Sequence, residues 1–461
     1  MLSDISGLCT VVEHRIPIRG DFQPKRLRAF KVPEHLKAKV VREIHQLERL
    51  GFIERSTSPM ASPIVCVLKA KDKEGARGLR IAIDYKYVNK FTQPSVAPLD
   101  DIGEIIQKVG ASNYISLFDA KSGYHQCIVN KDDRWLTSFI CDEGQFQWTR
   151  TPFGMRSSGT TFSTAIKDVL KPVREFTKSY VDDMAVHSMN WQLHLHHIDR
   201  YLTTVKASGL TLGLKKSEFA KSEVKFIGHL IGSGQRRVDP EKVSVINDLR
   251  EPETKKQLRQ IIGMFSFFRE YIPNFAFVAK PLTDLTSKRV SDRIPFGQRE
   301  REAFNSLKQL LCKAANEPLD IIDPSRQLSL FVDASENSGG AALTQCDNQG
   351  RIRPVAFASN KLTATQQRWS TIEREAYASL WALQKYKYWI FGTHIILYSD
   401  HNPITFLTES TPKSSKLMRW SLALQEFDVE FRYRCGKFNE AADCLSTMVQ
   451  PQDCGNQPVS E

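Results

Sequence analysis

Acidic residues stand at unusual places in this chain. NYISLFD (Asn113 to Asp119) alternates like a strand and puts Ile115, Leu117 and Asp119 on one face, so an acid closes an apolar row. SYVDDMAVHS reads as strand, tight turn and strand with Asp182 and Asp183 at the turn, where Asn-Gly or Asp-Gly would be the ordinary choice. Carboxylates gathered this way repel one another and resist joint ionisation. A divalent cation removes the repulsion, and magnesium takes a few carboxylates together with substrate phosphates. Two such ions ~3.5–4 Å apart can hold the attacking and leaving oxygens of a phosphoryl transfer. Asp119, Asp182 and Asp183 are therefore candidate ligands of a nucleotidyl-transfer centre. An isolated Asp-Asp pair is more often a solvated turn, so the surrounding sequence has to decide.

A second set of acids lies downstream. LSLFVDASENSGGAAL is a strand ending in Asp333, a glycine-rich turn and a second strand. IILYSDHNPITFL carries Asp400 at a strand end, and CGKFNEAADCLS carries Asp443. STIEREAYASLWALQKY is helical and offers both Glu373 and Glu375, which helical periodicity does not separate. These acids are scattered in sequence but groupable in space.

The elements that would position both sets are legible in outline. LKAKVVREIHQLERLGFIE places Val40, Ile44, Leu47 and Leu50 at helical spacing and stops at Gly51. Two strand-like runs follow, SPIVCVLKA and LRIAIDYKYVN, separated by the charged loop KDKEGARG. Thr254 with Gln257 three residues on is a capping-box signature, and Leu258, Ile261, Ile262, Phe265 and Phe268 make an apolar stripe behind it. Gly263 lies inside that helix, where glycine costs ~1 kcal/mol relative to alanine. The penalty is reasonable where another backbone must come close. Lys215, Lys216, Arg236, Arg237, Lys255, Lys256 and Arg259 cluster in this half, as a phosphate-tracking surface would need. LHLHH (Leu193 to His197) borders an apolar stripe of Leu195, Ile198, Leu202 and Val205 rather than forming a metal site. NEPLDIIDPSRQ reads as a polar, proline-bearing linker.

Composition bounds the answer. At 461 residues the chain holds two to four domains. It is 41% hydrophobic and 25% charged, an ordinary globular balance. A net charge of +12 and a pI near 9.2 suit an acidic partner, of which nucleic acid is the commonest. Nine scattered cysteines without a CxxC pair argue against a zinc module or a disulfide framework and suit a reducing compartment. No apolar run is long enough to span a bilayer and no secretory signal opens the chain, which points to a soluble, cytoplasmic protein without a membrane partner.

LFDAKSGYHQ, TPFGMRSSGTTF, YVDD and EVKFIGHLI occur in the order and spacing of retroelement reverse transcriptases, and the chain most resembles the Gypsy (Metaviridae) type of long-terminal-repeat retrotransposon from about residue 13 to 446. The resemblance implies a multidomain α/β and α+β fold: a right-hand polymerase of fingers, palm and thumb, then a ribonuclease H-like α/β domain. Between Leu285 and Asp333 too few residues remain for a separate connection domain. The expected division is a lead-in at 1–30, fingers and palm at 31–235, thumb at 236–317, linker at 318–328, ribonuclease H at 329–449 and a tail at 450–461. No protease motif or integrase zinc knuckle is present, so the chain looks like one segment of a larger polyprotein, in an element that assembles a virus-like particle.

The same resemblance assigns roles. Asp119 and Asp182 would bind two Mg²⁺, with Mn²⁺ a substitute and Asp183 supporting. Tyr124 matches the aromatic gate under the incoming sugar, which would favour deoxynucleotides. Arg80 matches the arginine that contacts the triphosphate with its fork of donors, and Lys69 or Lys71 the phosphate-binding lysine. Phe153 and Gly154 would pack beside the nascent base pair. Phe226, Gly228 and His229 would hold the primer end, while Arg259, Gly263 and Phe267 would face the duplex minor groove. In the nuclease, Asp333, Glu375, Asp400 and Asp443 would hold two further Mg²⁺; Glu375 is preferred because Ala378, Ala382 and Leu383 complete the family spacing E-x-x-A-x-x-x-A-L. The histidine that many ribonucleases H carry before the last aspartate is absent from YRCGKFNEAAD. The implied activity is DNA synthesis on RNA template or DNA from dNTPs and a DNA primer, with cleavage of RNA in RNA–DNA hybrid, by a chain that could form a homodimer on its substrate. The alternative is a domesticated or decayed copy that only binds nucleic acid.

Overall fold

A computed structural model describes residues 7–71, 77–95, 100–399 and 415–433, without the side chains at 68–71, 77, 78 and 80. The chain divides into two compact units, Met1–Ile227 and Gly228–Glu461. Among the described residues no helix is long and apolar enough to cross a membrane.

The first unit holds two sheets. The outer one orders its strands Ile53–Arg55, Gly144–Trp148, Phe139–Cys141, Ser62–Lys71 and Arg77–Ile83. Its core includes Ile44, Phe139, Phe146 and Trp148, and the helix Glu34–Arg49 lays Leu36, Val40 and Ile44 on it. The second sheet is built from β1 (Tyr114–Asp119), β2 (Thr177–Tyr180), β3 (Asp183–Ser188) and β4 (Glu218–Lys221), in the order β4-β1-β3-β2. Helices α1 (Ser158–Leu170) and α2 (Trp191–Ala207) cover it, and Phe118, Phe162, Met184, Val186, Tyr201 and Val205 fill the space between. Truncating one of these phenylalanines to alanine would cost about 3–5 kcal/mol, so the sheet that bears the first acids is firmly anchored.

One face of α2 differs from its expected reading. Leu195 is half exposed, whereas His194 is fully buried. The histidine is satisfied on both nitrogens, by Ser116 Oγ (2.9 Å) and Ser188 Oγ (2.9 Å), which is how a polar ring becomes a core residue. An apolar-only stripe misses such a position.

The second unit also has two parts. The hairpin β5 (His229–Gly232) and β6 (Gln235–Val238) is extended by β7 (Leu319–Asp320). Helices α3 (Lys255–Phe267) and α4 (Gln298–Asn316) pack beside it. Residues 318–328, expected as a linker, are folded in: Leu319, Asp320 and Ile321 are buried, and Leu319 pairs with Arg236. A five-stranded sheet follows, made of β8 (Leu328–Ala334), β9 (Ser338–Cys346), β10 (Ile352–Lys361), β11 (Ile395–Ser399) and β12 (Val429–Tyr433) in the order β10-β9-β8-β11-β12. Strands β8 to β10 are antiparallel neighbours, while β11 and β12 run parallel to β8.

Strand alternation gives this sheet two apolar faces. Leu330, Val332, Leu343 and Ala356 meet α5 (Thr371–Ile390) and α6 (Ser415–Leu424). Phe331, Ala342 and Phe357 point the other way, into the core of the α3 and α4 helices. The fold of the chain is thus mixed α/β, with Asp119 and Asp183 on one sheet and Asp333 on another.

Candidate active sites

The first acid set is assembled by strand register. Asp183 lies directly opposite Asp119 across the antiparallel β1–β3 pair, and Asp182 sits in the two-residue turn that joins β2 to β3. The turn is strained: Val181 has φ +59°, a left-handed conformation that costs an L-residue about 1–2 kcal/mol. Ala120 N donates to Asp182 O (3.4 Å), holding the turn against the end of β1. Desolvation raises the pKa of Asp183, and the charges of Asp182 and Asp119 raise it further, opposed by Lys216.

Lys216 stands elsewhere than the sequence suggests. It was grouped with phosphate-tracking cations, but its Nζ lies 3.1 Å from Asp119 Oδ1. The tight turn Leu214–Lys216 brings it there, since Gly213 N donates to Asp119 O (2.9 Å). Gln126 was missed outright. Fully buried, it donates from Nε2 to Lys121 O (2.8 Å) and Thr211 O (2.9 Å), and accepts at Oε1 from Thr211 N (2.7 Å). That clamp fixes the loop leaving Asp119; its only sequence signal was a glutamine directly before the apolar run Cys127 to Val129.

Tyr124 stands in the turn Gly123–Gln126, its ring 5.0 Å from Phe153 and 5.7 Å from Phe162. Burial raises its pKa and the charge of Asp182 adds to that. Gly123 permits the approach, because a Cβ there would come within 2.6 Å of the Phe162 ring. Phe153 is exposed, and Gly154 has φ +92° with its carbonyl accepting from Asn89 Nδ2 (2.8 Å). Lys69 and Lys71 lie on the strand Ser62–Lys71, and Arg80 is opposite Val67 on Arg77–Ile83. Their side chains lie outside what the structure describes.

The residues expected to hold a primer end split by burial. Phe226 and His229 are buried, while Gly228 between them is partly exposed. His229 Nδ1 lies 2.8 Å from Tyr271 Oη, and its ring stacks on Phe267 at 5.4 Å. Burial, with Arg236 adding, takes its pKa to about 3, so it is neutral. Gly228 (φ +76°) would bring a Cβ to 3.6 Å from Phe267 Cε1. The expected capping box of α3 forms: Thr254 Oγ1 accepts from Gln257 N (3.3 Å) and Gln257 Oε1 from Thr254 N (3.1 Å). Arg259, Gly263 and Phe267 share its exposed face, and a Cβ on Gly263 would meet nothing within 4 Å. Two of the expected phosphate-tracking cations are buried instead, Lys255 at 7% and Arg236 at 2% exposure.

In the second acid set, Asp333 stands exposed at the end of β8. Glu375, in the first turns of α5, is buried at 1% exposure and accepts at Oε1 from Ala334 N (3.2 Å), beside that strand end. Glu373 does different work. It closes a capping box with Ser370 and pairs with Lys416 Nζ at 3.1 Å. Asp400 and Asp443 lie outside the described residues.

Among the described residues no three His, Cys, Asp or Glu side chains close around one ion as they stand. The donor chemistry at Asp119, Asp182 and Asp183 nevertheless fits a hard divalent ion. The set is all carboxylate oxygen, its mutual repulsion raises the proton affinity of Asp183, and a lysine is already drawn to Asp119 as counter-charge.

Residues 69–231 match the reverse transcriptase (RNA-dependent DNA polymerase) family, and residues 323–427 match the RNase H-like domain found in reverse transcriptase. The chain is 32% identical to the retrovirus-related Pol polyprotein from transposon opus of Drosophila melanogaster, over 97% of this chain and 46% of that one. It is also 32% identical to the Pol polyprotein from transposon gypsy of the same organism, over 92% and 42%. It therefore spans less than half the length of these relatives. The foamy viral protease-reverse transcriptase in complex with RNA/DNA hybrid superposes with a TM-score of 0.71 at 25% identity, over 99% of this chain and 60% of that one.

Proposed function

We propose that this chain, which carries the reverse-transcriptase and RNase H-like domains of a Gypsy-type long-terminal-repeat Pol polyprotein, extends DNA primers on RNA and DNA templates and cuts RNA in RNA–DNA hybrids. The observation that carries the reading is the register of Asp119 against Asp183 with Asp182 at the strained turn between β2 and β3. A decayed copy that only bound nucleic acid would have no need to maintain that turn.

Asp119 and Asp182 would hold two Mg²⁺ in the polymerase, with Asp183 supporting; Asp333, Glu375, Asp400 and Asp443 would hold two in the nuclease. Magnesium, or manganese in its place, supplies neutralisation of phosphate charge and a more acidic hydroxyl or water at the attacking position. The chain's own residues do the rest. Tyr124, braced by Phe153 and Phe162, sits under the sugar and excludes a 2′-hydroxyl, selecting dNTPs. Phe153 and Gly154 pack beside the nascent pair. Arg80 and Lys69 or Lys71 receive the triphosphate. Lys216 neutralises Asp119 until the ions arrive. The exposed face Arg259, Gly263 and Phe267 lies along the duplex, and the Gly228 turn supports the primer strand. The protein works in the cytoplasm, inside the element's particle, alone or as a homodimer formed on the substrate.

Primer extension by the purified chain with Mg²⁺ on RNA and DNA templates tests this directly. Incorporation should exceed that of Asp182→Asn by at least about a hundredfold. Activity equal to that control leaves only a nucleic-acid-binding protein.

A further inference from the structure

Arg236 was expected on a phosphate-tracking surface and lies instead at the centre of the second unit, 2% exposed. Its fork reaches two different parts of that unit. Nη1 donates to Glu270 Oε2 (3.1 Å), in the turn that ends α3, and Nη2 donates to Val355 O (2.9 Å) on β10. The guanidinium also lies over the rings of Tyr271 (5.3 Å) and Trp389 (6.0 Å), the latter on α5. Tyr386, also on α5, donates to Ala356 O of β10 at 3.0 Å. One buried cation thus touches the exit of α3, the nuclease sheet and the helix that presents Glu375.

Secondary ties run the same way. Arg269 Nη2 donates to Ser359 O (2.9 Å), Ala276 N to Ser359 Oγ (2.8 Å) and Lys280 Nζ to Asn337 Oδ1 (2.8 Å). Phe331 and Phe357 of the nuclease sheet share a core with α3 and α4. An apolar side chain at 236 would fill the same volume and often stabilises as well as a buried ion pair does. A planar fork adds direction: its two donors accept only one relative orientation of α3 and β10.

We infer that Arg236 is a positioning residue for RNA cleavage, bolting the exit of α3 to β10 and α5 so that the Glu375 site cuts at a fixed distance along a duplex lying on α3. This rests on the reading above, in which α3 tracks the duplex and Glu375 belongs to the nuclease. Loss of the bolt lets the two parts rock, and a misplacement of about 1 Å is enough to change cleavage.

The test uses the full chain on a hybrid with a labelled RNA strand and a fixed DNA primer end, with cut positions read at single-nucleotide resolution. Arg236→Met with Glu270→Gln removes the fork without orphaning a buried charge. Primer extension and total cutting should stay within about twofold of wild type, while the share of cuts at the principal position falls about threefold. Sharp wild-type positions in a folded double variant overturn the inference. So does a uniform fall in extension and cutting with the pattern unchanged, which is the signature of simple destabilisation. Should the double variant not fold, exposed Arg269→Gln, which loses the Ser359 bond and the contact over the Phe275 ring, carries the same expectation at smaller size, and an unchanged pattern there also overturns it. A wild-type chain that cuts no hybrid fails earlier, at the functional reading, and is told apart by the absence of any wild-type pattern.

Discussion

Glu373 and Glu375 stand two residues apart on one helix, and the structure gives them opposite consequences on mutation. Glu373 Oε2 accepts from Ser370 N at 3.0 Å, the return half of a capping box, and Oε1 pairs with Lys416. Burial raises its pKa, but the Ser370 and Lys416 bonds outweigh this and the net shift is downward. Glu373→Ala removes a cap worth about 1 kcal/mol and a partly exposed ion pair worth about 0.3–0.5 kcal/mol after solvent screening. For a unit of this size, about 1.5 kcal/mol lowers Tm by about 3–6 °C. Cleavage at temperatures well below the transition should persist within a few-fold. Glu375→Gln is nearly isosteric, and its Oε1 can still accept from Ala334 N. Tm should therefore hold or rise slightly, because a buried negative charge is lost. Hybrid cleavage should fall about a hundredfold or more, with primer extension intact. Thermal melts beside cleavage of a labelled hybrid read both axes. Full cleavage by Glu375→Gln, together with loss of cleavage by Glu373→Ala at unchanged Tm, would refute the assignment.

Asp182→Asn should abolish primer extension and leave hybrid cleavage within about twofold, since Asp182 belongs to the first unit and Asp333 and Glu375 to the second; parallel assays with one preparation decide it. Tyr124→Ala should raise ribonucleotide incorporation relative to deoxynucleotide by at least about tenfold, a modest discrimination energy for one ring, and an unchanged ratio in competition assays would place the gate elsewhere. Acid stability should follow the buried histidines. Burial holds His14 and His187 at about 4, with Lys178 and His197 among the charges adding to the shift at His187, while His229 sits at about 3. In the unfolded chain each titrates near about 6.5, so the unfolded state binds more protons between those values. Stability is fully present above about pH 6.5 and is lost as pH falls toward 4, at about 3 kcal/mol per histidine. Urea unfolding from pH 7 to 4.5 measures the slope, and His14→Asn should flatten it by one proton; a level profile in the wild type would contradict the shifts.

Much of this was legible locally. The capping box at Thr254, the strand ending at Asp119 and the turn at Asp182 are each set by residues within a few positions of one another. So is the exposed face of α3, because helical spacing fixes which residues share a side. Glu373 and Glu375 were separable only by family spacing in the sequence, whereas the structure distinguishes them by partner: one bonds Ser370 three residues back, the other a strand 41 residues away. The residues that sequence reasoning misread share a cause. His194, Lys216 and Leu319 each depend on a partner at long range, Ser116 for the first, Asp119 for the second, Arg236 for the third.

Arg236 shows why such a residue resists reading. In β6 it follows Gln235 and precedes Arg237, and nothing in that local run marks one arginine for the core and the other for partial exposure. Its carboxylate partner lies 34 residues on and its carbonyl partner 119. A buried charge is tolerable only when both are in place, so the position is decided by the finished packing of the β8–β12 sheet on the α3 helix. The same reasoning explains why the 318–328 segment folds in. Leu319 completes the edge of β6, and Arg353 of β10 reaches Asp320 at 3.5 Å, so a run that reads as a spacer becomes the strand through which the two parts of the unit are joined. A polar, proline-bearing stretch is a free linker only where no neighbouring edge offers it hydrogen bonds, and here β6 does.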